Sequence, residues 1–176
     1  MPETLIGVYW PARACDLNAC ARLAHTHFEA ISHFDKGLAS WFKLASRKPK
    51  VPVAADVGSL DALTGLLRKG VSRTDTDRSV IEELGWSIRF WNGEVGGCTA
   101  NTSIKCGCTS PWVSNAAYVS ISREGSVGMD DAKALKLMEA LVGIWNPESG
   151  VVQQSRWNAE TQAHETTEVA TFKRER

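Results

Sequence analysis

The sequence predicts an α+β fold, in which helices pack on a mostly antiparallel sheet. Several segments have apolar residues at helical spacing, and others alternate apolar and polar residues as strands do. In mid-chain the alternating segments follow one another without an intervening helix, an order that favours antiparallel pairing. The 176 residues fit one domain, and 43% hydrophobic residues are ample for its core. We therefore expect residues 1–176 to form a single domain.

The chain opens with a β-α unit. Residues 4–10, "TLIGVYW", are apolar on both alternating faces, which predicts a buried strand that ends at Pro11. Asp16 is the expected N-cap of the long helix that follows. The inward face of that helix is expected to carry Leu17, Cys20, Ala24, Phe28 and Ile31.

A connection and a short helix come next. Pro49 and Pro52 break the connection, which we expect to lie on the surface, anchored by Trp41 and Phe42. Ser59 is the expected N-cap of the short helix, because periodic leucines begin immediately after it. The leucines on its apolar face are Leu60, Leu63, Leu66 and Leu67.

Two further helices are predicted, one in mid-chain and one near the end. Asp77 is the expected cap of the first, which ends at Gly85. Its apolar residues are Val80, Ile81 and Leu84. The second is long, begins at Asp130 or Asp131 and ends in "NPESG", residues 146–150. Its inward residues are expected to be Leu135, Met138, Leu141, Val142 and Trp145.

The remaining segments alternate with a period of two residues and predict strands. Residues 86–93, "WSIRFWNG", alternate cleanly and end in an Asn-Gly turn signal. Residues 99–107 and 116–122 follow as two further strands. Residues 151–157 and 166–174 alternate again, and we expect them to add edge strands.

Charge and composition narrow the classes of function. The 20 basic and 20 acidic residues cancel, and the pI is about 6.9. General binding to nucleic acid or to a membrane surface needs a sustained positive field, so neither partner is expected. A nucleic-acid-binding module would need a basic face that the zero net charge conceals. The first residues do not form a signal peptide, and no apolar run approaches a membrane span, so we expect a cytoplasmic protein with reduced thiols.

The residues that could carry catalysis form no recognised motif. His25 and His33 each lie four residues from Glu29, a spacing typical of exposed helix pairs, and we expect the helix histidines to be solvated or half-buried. The five cysteines include Cys106 and Cys108 in "KCGC". Their spacing is too short for paired zinc ligands, which favours buried reduced thiols. We expect no catalytic, metal or cofactor residues and no cofactor. The alternative is a small thiol- or metal-dependent hydrolase that uses Cys106 or Cys108 with a histidine.

Five segments together resemble the immunity protein 52 family. They are "YWPAR", "CARLAHTHFEAI", "WF", "IEELGWSIRFWNG" and "LVGIWNPESG", spread from Ile6 to about Val152. The resemblance implies a single immunity-protein domain of α+β fold, and a cytoplasmic antitoxin from a bacterial polymorphic or type VI secretion toxin system. It also implies a partner, the toxin of a neighbouring gene, which is a nuclease of restriction-endonuclease-like fold. The family supplies no catalytic residues.

Two features are candidates for the toxin interface. Trp112, in "TSPWVSN", belongs to no periodic pattern, so we expect it to be exposed, whereas the other turn-flanking tryptophans are expected to fill the sheet edges. The second feature is a local excess of acid. Its members are Asp75, Asp77, Glu82 and Glu83, against Arg73 and Arg78. The alternative interpretation is that these acids lie at a helix N-terminus, where the helix dipole favours them.

Overall fold

The computed structural model describes residues 2–44, 52–93, 97–123 and 129–175, and an antiparallel sheet is its central element. The strands are β1 (Glu3–Trp10), β2 (Trp41–Lys43), β3 (Ala54–Ala55), β4 (Trp86–Trp91), β5 (Cys98–Cys106), β6 (Asn115–Arg123), β7 (Ser149–Asn158) and β8 (Ala163–Lys173). They form one eight-stranded sheet in the order β3-β2-β4-β5-β6-β1-β7-β8. Every neighbouring pair is antiparallel. The α+β prediction is confirmed.

In the described ranges, three α-helices cover one face of this sheet. They are α1 (Leu17–Phe34), α2 (Leu60–Lys69) and α3 (Asp131–Trp145). Ile6, Val8 and Trp10 of β1 point into the same hydrophobic core as the helices. Leu5 and Tyr9 alternate with them and therefore lie on the opposite face. We call that opposite face the open face.

The predicted starts of α1 and α2 are confirmed. The Ala19 amide donates to Asp16 Oδ1 at 2.8 Å, and the Ala62 amide donates to Ser59 Oγ at 3.3 Å. Both side chains therefore satisfy an amide that lacks a partner within its helix. Leu63 and Leu67 are fully buried, whereas Leu60 is 42% exposed. Because α2 packs mainly along α1, only part of its leucine face reaches the core.

The prediction of a helix that begins at Asp77 is wrong. Bridges between Val71 and Trp86 and between Arg73 and Val80 make the segment a hairpin-like excursion from the edge of β4. Asp77 closes its turn, because its Oδ1 accepts hydrogen bonds from the Thr74 hydroxyl and from the Ser79 amide. These are local side-chain bonds of the kind that compete with a helix. Only a 3₁₀ turn, Glu82–Leu84, follows.

Helix α3 has the predicted limits with a slightly different inward face. Asp130 caps its start, and Asn146 ends it in the left-handed conformation with φ of 47°. The buried residues are Ala134, Leu137, Met138, Leu141 and Trp145. Leu135 and Val142, expected to point inward, only pack partly against the core.

The predicted surface connection contains two short strands. Trp41 anchors it as expected, being 2% exposed and donating from Nε1 to the Leu38 carbonyl at 2.9 Å. Phe42 packs against Trp91 on the open face, with ring centroids 6.0 Å apart. Residues 45–51 of this connection, including Pro49, lie outside the described residues.

The last two predicted strands form a hairpin. Of these two, only β8 lies at an edge of the sheet, because β7 lies between β1 and β8. The pairing of β7 with β8 shifts register between Val152 and Gln153. None of the helices in the described ranges is long and apolar enough to cross a membrane.

Candidate partner-binding site

A buried histidine lies at the junction of α1, α3 and the sheet. His27 is 0% exposed, and its Nδ1 accepts a hydrogen bond from Trp145 Nε1 at 3.2 Å. Its Nε2 lies 3.1 Å from Thr102 Oγ1, whose hydroxyl donates to the Tyr118 carbonyl at 2.9 Å. These partners assign the proton to Nε2, since Nδ1 and the threonine oxygen then both accept. The network is closed and leaves no imidazole nitrogen for a substrate.

Burial also keeps this imidazole neutral. It lowers the pKa of His27 from 6.5 to about 3, because the charged form would lose its hydration. The expectation of solvated or half-buried helix histidines is therefore wrong for His27, although it is confirmed for His25 and His33. A signal was present in the sequence: His27 lies three residues after Ala24 and four before Ile31, on the inward stripe of α1.

The tryptophans of "YWPAR" and "IWNP" pack together. The rings of Trp10 and Trp145 stack with centroids 5.1 Å apart, and both residues are buried. Arg13 lies over the Trp10 ring and donates to the Trp145 and Asn146 carbonyls at the end of α3. These contacts satisfy carbonyls that lack helical partners. They confirm a packing role for these two tryptophans.

The cysteines do not converge on a catalytic or metal arrangement. Cys98 and Cys106 occupy opposite ends of β5, and Cys108 is fully buried in the loop beyond it. Among the residues that the structure describes, no group of three or more His, Cys, Asp or Glu could hold a metal ion. Cys106 instead contacts Cys20, whose pKa is raised by that hydrogen bond and by burial. The arrangement gives no support to a thiolate nucleophile at Cys106 or Cys108.

The interface candidates, in contrast, are exposed at one end of the sheet. Trp112 is 90% exposed on the loop between β5 and β6. The Thr109 and Ser110 amides on that loop donate to the Glu83 carbonyl at 2.8 and 3.2 Å. Asn115 holds the same loop from its other side, accepting from the Cys108 amide at 2.8 Å. Hydrogen bonds on both sides therefore hold the loop that exposes this indole to water.

The four acids lie along the segment that is bonded to this loop. All are exposed: Glu82 and Glu83 in the 3₁₀ turn, and Asp75 and Asp77 in the turn of the hairpin-like excursion. Hydrogen bonds from Thr74 and Ser79 lower the pKa of Asp77 to about 2, so it is charged at neutral pH. Only Glu82 and Glu83 begin a helical turn, so the alternative of a helix N-terminus does not apply to the two aspartates. We call these four acids with Trp112 the acidic end.

A cleft with apolar walls lies within the acidic end. Its volume is about 390 Å³, and it is lined by Val71, Val80, Glu82, Gly85 and Trp86. Val80 is 42% exposed although it is aliphatic. Of the acidic end, Glu82 lines this cleft, so a carboxylate lies beside exposed apolar side chains there. This mixture is typical of the centre and rim of a protein interface.

The family of the chain follows from a comparison with family models. The model of immunity protein 52 matches residues 3–173, nearly the whole chain. The chain therefore belongs to the immunity protein 52 family, and the resemblance noted in the sequence is confirmed. A comparison with curated protein sequences finds no match.

Proposed function

We propose that this protein is the antitoxin of a secreted nuclease toxin and that it neutralises the toxin by binding it, without catalysis of its own. Membership of an immunity-protein family supports a toxin partner. The observation that carries the proposed binding site is Trp112, which is 90% exposed on a loop bonded to Glu83. Such exposure leaves a large apolar area in water. A partner that covers this area removes it from water, which contributes favourable free energy to binding.

Charge supports a nuclease as the partner. A nuclease that grips DNA carries a positive groove, because it must neutralise phosphates. The chain has no net charge, so attraction to such a groove must come from a local patch, and the acidic end supplies one. The proposed toxin has a restriction-endonuclease-like fold and belongs to a type VI or other polymorphic secretion system used in bacterial competition. Inhibition is then steric: the bound antitoxin blocks the active site or the toxin's assembly.

The other parts of the proposal follow from this partner. The protein acts in the cytoplasm, where an incoming nuclease would reach the chromosome. Residues 1–176 act as one immunity-protein domain that binds the toxin, with no direct contact to nucleic acid and no cofactor. Binding is favoured over the thiol-hydrolase alternative because both ring nitrogens of His27 are bonded within the core and Cys106 is only 2% exposed.

Stopped-flow association with the toxin of the neighbouring gene tests the acidic end. Substituting Asp75→Asn, Asp77→Asn, Glu82→Gln and Glu83→Gln together should slow association about tenfold at low salt, with a smaller effect at high salt. The matched control neutralises four exposed acids outside this end. These are Asp56, Asp61, Glu139 and Glu160. If the two quadruple variants associate with the toxin at equal rates, the acidic end is not the docking surface.

Trp112→Ala tests the anchor separately. Because the indole makes no core contact, the variant should melt like the parent. Its dissociation constant for the toxin should rise about 30-fold, the typical effect of removing a hot-spot aromatic. Leu60→Ala, at an exposed apolar position on α2, is the control. An unchanged dissociation constant for Trp112→Ala would rule out its role as an anchor.

A further inference from the structure

The open face contains the only two tyrosines of the chain, Tyr9 and Tyr118. They lie on adjacent strands β1 and β6, where Gly7 pairs directly with Tyr118. Together with Leu5, Leu44, Arg89 and Asn101 they line a shallow depression of about 480 Å³. Leu44 is 50% exposed. None of the helices in the described part of the chain covers these residues.

Gly7 shapes this depression by leaving room for the Tyr9 ring. A Cβ at position 7 would lie 2.6 Å from Tyr9 Oη and 3.0 Å from Tyr9 Cζ. The phenol therefore lies back along β1 across Gly7, and any larger residue there would lift it away. Tyr118 lies opposite Gly7 on β6, so its ring lines the same depression as that of Tyr9. The result is an aromatic floor of two phenols.

Arg89 supplies a cation beside that floor. It is exposed on β4, and no ion pair or hydrogen bond of its guanidinium occurs within the described ranges. Glu3, the acid among the described residues that line the depression, accepts a hydrogen bond from the Ser120 hydroxyl. A guanidinium with free donors beside aromatic rings is matched best by a carboxylate next to an apolar side chain.

The open face is continuous with the loop that carries Trp112. A small crevice of about 140 Å³ joins them, lined by Tyr9, Pro11 and Ser114 among others. Ser114 lies two residues after Trp112 on the loop between β5 and β6. The crevice therefore extends the open face as far as the loop that carries Trp112.

We propose that the open face is a second contact surface for the toxin, which inserts a carboxylate against Arg89 and an apolar side chain against Tyr9 and Tyr118. This inference rests on the proposed function and adds the chemistry of the segment that the toxin presents. Tyrosine and arginine are the side chains that most often dominate protein interfaces. A nucleic acid fits less well, because its phosphates need several cations and Glu3 lies in the same depression.

Two measurements on the complex with the neighbouring toxin test this. The first is nitration by tetranitromethane, which modifies tyrosine rings; because this chain has only Tyr9 and Tyr118, its nitrated peptides report on the open face alone. Neither tyrosine should be nitrated when the toxin is present at a saturating concentration. The second is the dissociation constant of Arg89→Glu, which should rise about 30-fold. Arg22→Glu, the same charge change on the exposed side of α1, is the control and should bind like the parent.

Gly7→Ala supplies a variant that removes no side chain. The new methyl group displaces the flexible end of Tyr9, so the fold should persist while toxin binding weakens about tenfold. The open-face contact is refuted if toxin does not change nitration, or if Arg89→Glu binds the toxin as tightly as Arg22→Glu does. Either result is compatible with the proposed function. If the parent itself does not bind the toxin, both proposals fall.

Discussion

Stability should fall in mild acid because His27 is buried as a neutral imidazole. Its pKa is lowered from 6.5 to about 3 in the folded protein, so the unfolded chain takes up the proton first as the pH falls. The contribution of neutral His27 to the free energy of unfolding is complete above pH 6.5. It is lost as the pH falls toward the pKa of His27 in the folded protein. Between these values each pH unit costs about 1.4 kcal/mol, so about 2 kcal/mol of the free energy of unfolding is lost by pH 5.

Urea unfolding at pH 7.5, 6.5 and 5 measures this loss, with His27→Gln as the reference variant. Glutamine can still donate to Thr102 but does not titrate in this range. Because parent and variant differ only at position 27, the difference between the two pH profiles isolates His27. The variant should be less stable at pH 7.5 and lose less on acidification. Parallel profiles, or a His27 ring whose NMR shifts titrate near pH 6.5 in the folded protein, would refute the reasoning.

Three further perturbations follow from the packing. Trp145→Ala removes the stack on Trp10 and the donor to His27, and should cost about 3–5 kcal/mol in urea unfolding; a parental midpoint would contradict the placement of α3. Gly85→Ala should cost about 3 kcal/mol, because φ is 63° and the new Cβ would meet the Cys106 carbonyl oxygen at 2.3 Å; an unchanged melting temperature would contradict this backbone. Cys106 and Cys108 should react with Ellman's reagent only on unfolding, since both are buried, and rapid labelling of either in the native protein would revive the thiol alternative.

The elements that the sequence predicted correctly are those with a local cause. Asp16 and Ser59 cap their helices through bonds to amides three residues ahead, so both the cap and the start of the periodic face are visible in a short window. The prediction at Asp77 was wrong because aspartate is favoured both in turns and at helix N-caps. In both places its short side chain accepts hydrogen bonds from backbone amides. The turn forms here because Val71 pairs with Trp86, a contact that no local sequence pattern indicates.

The parts of the site that escaped prediction depend on tertiary arrangement. Trp112 was identifiable because no periodic pattern included it, and the structure places it in solvent. The open face was not identifiable, because "TLIGVYW" is apolar on both alternating faces and does not indicate which of them the helices cover. Tyr9 and Tyr118 are 109 positions apart in the chain. Only the pairing of β1 with β6 brings them together.

Titration of the DNA cleavage proposed for the neighbouring toxin, with the purified protein, tests the central claim most directly. A supercoiled plasmid is the substrate, and the antitoxin is added from sub-stoichiometric to excess amounts. The account predicts that cleavage falls in proportion to added protein and stops once the toxin is saturated, and that Trp112→Ala shifts the curve to higher concentration. Full cleavage in the presence of excess parent protein would contradict it.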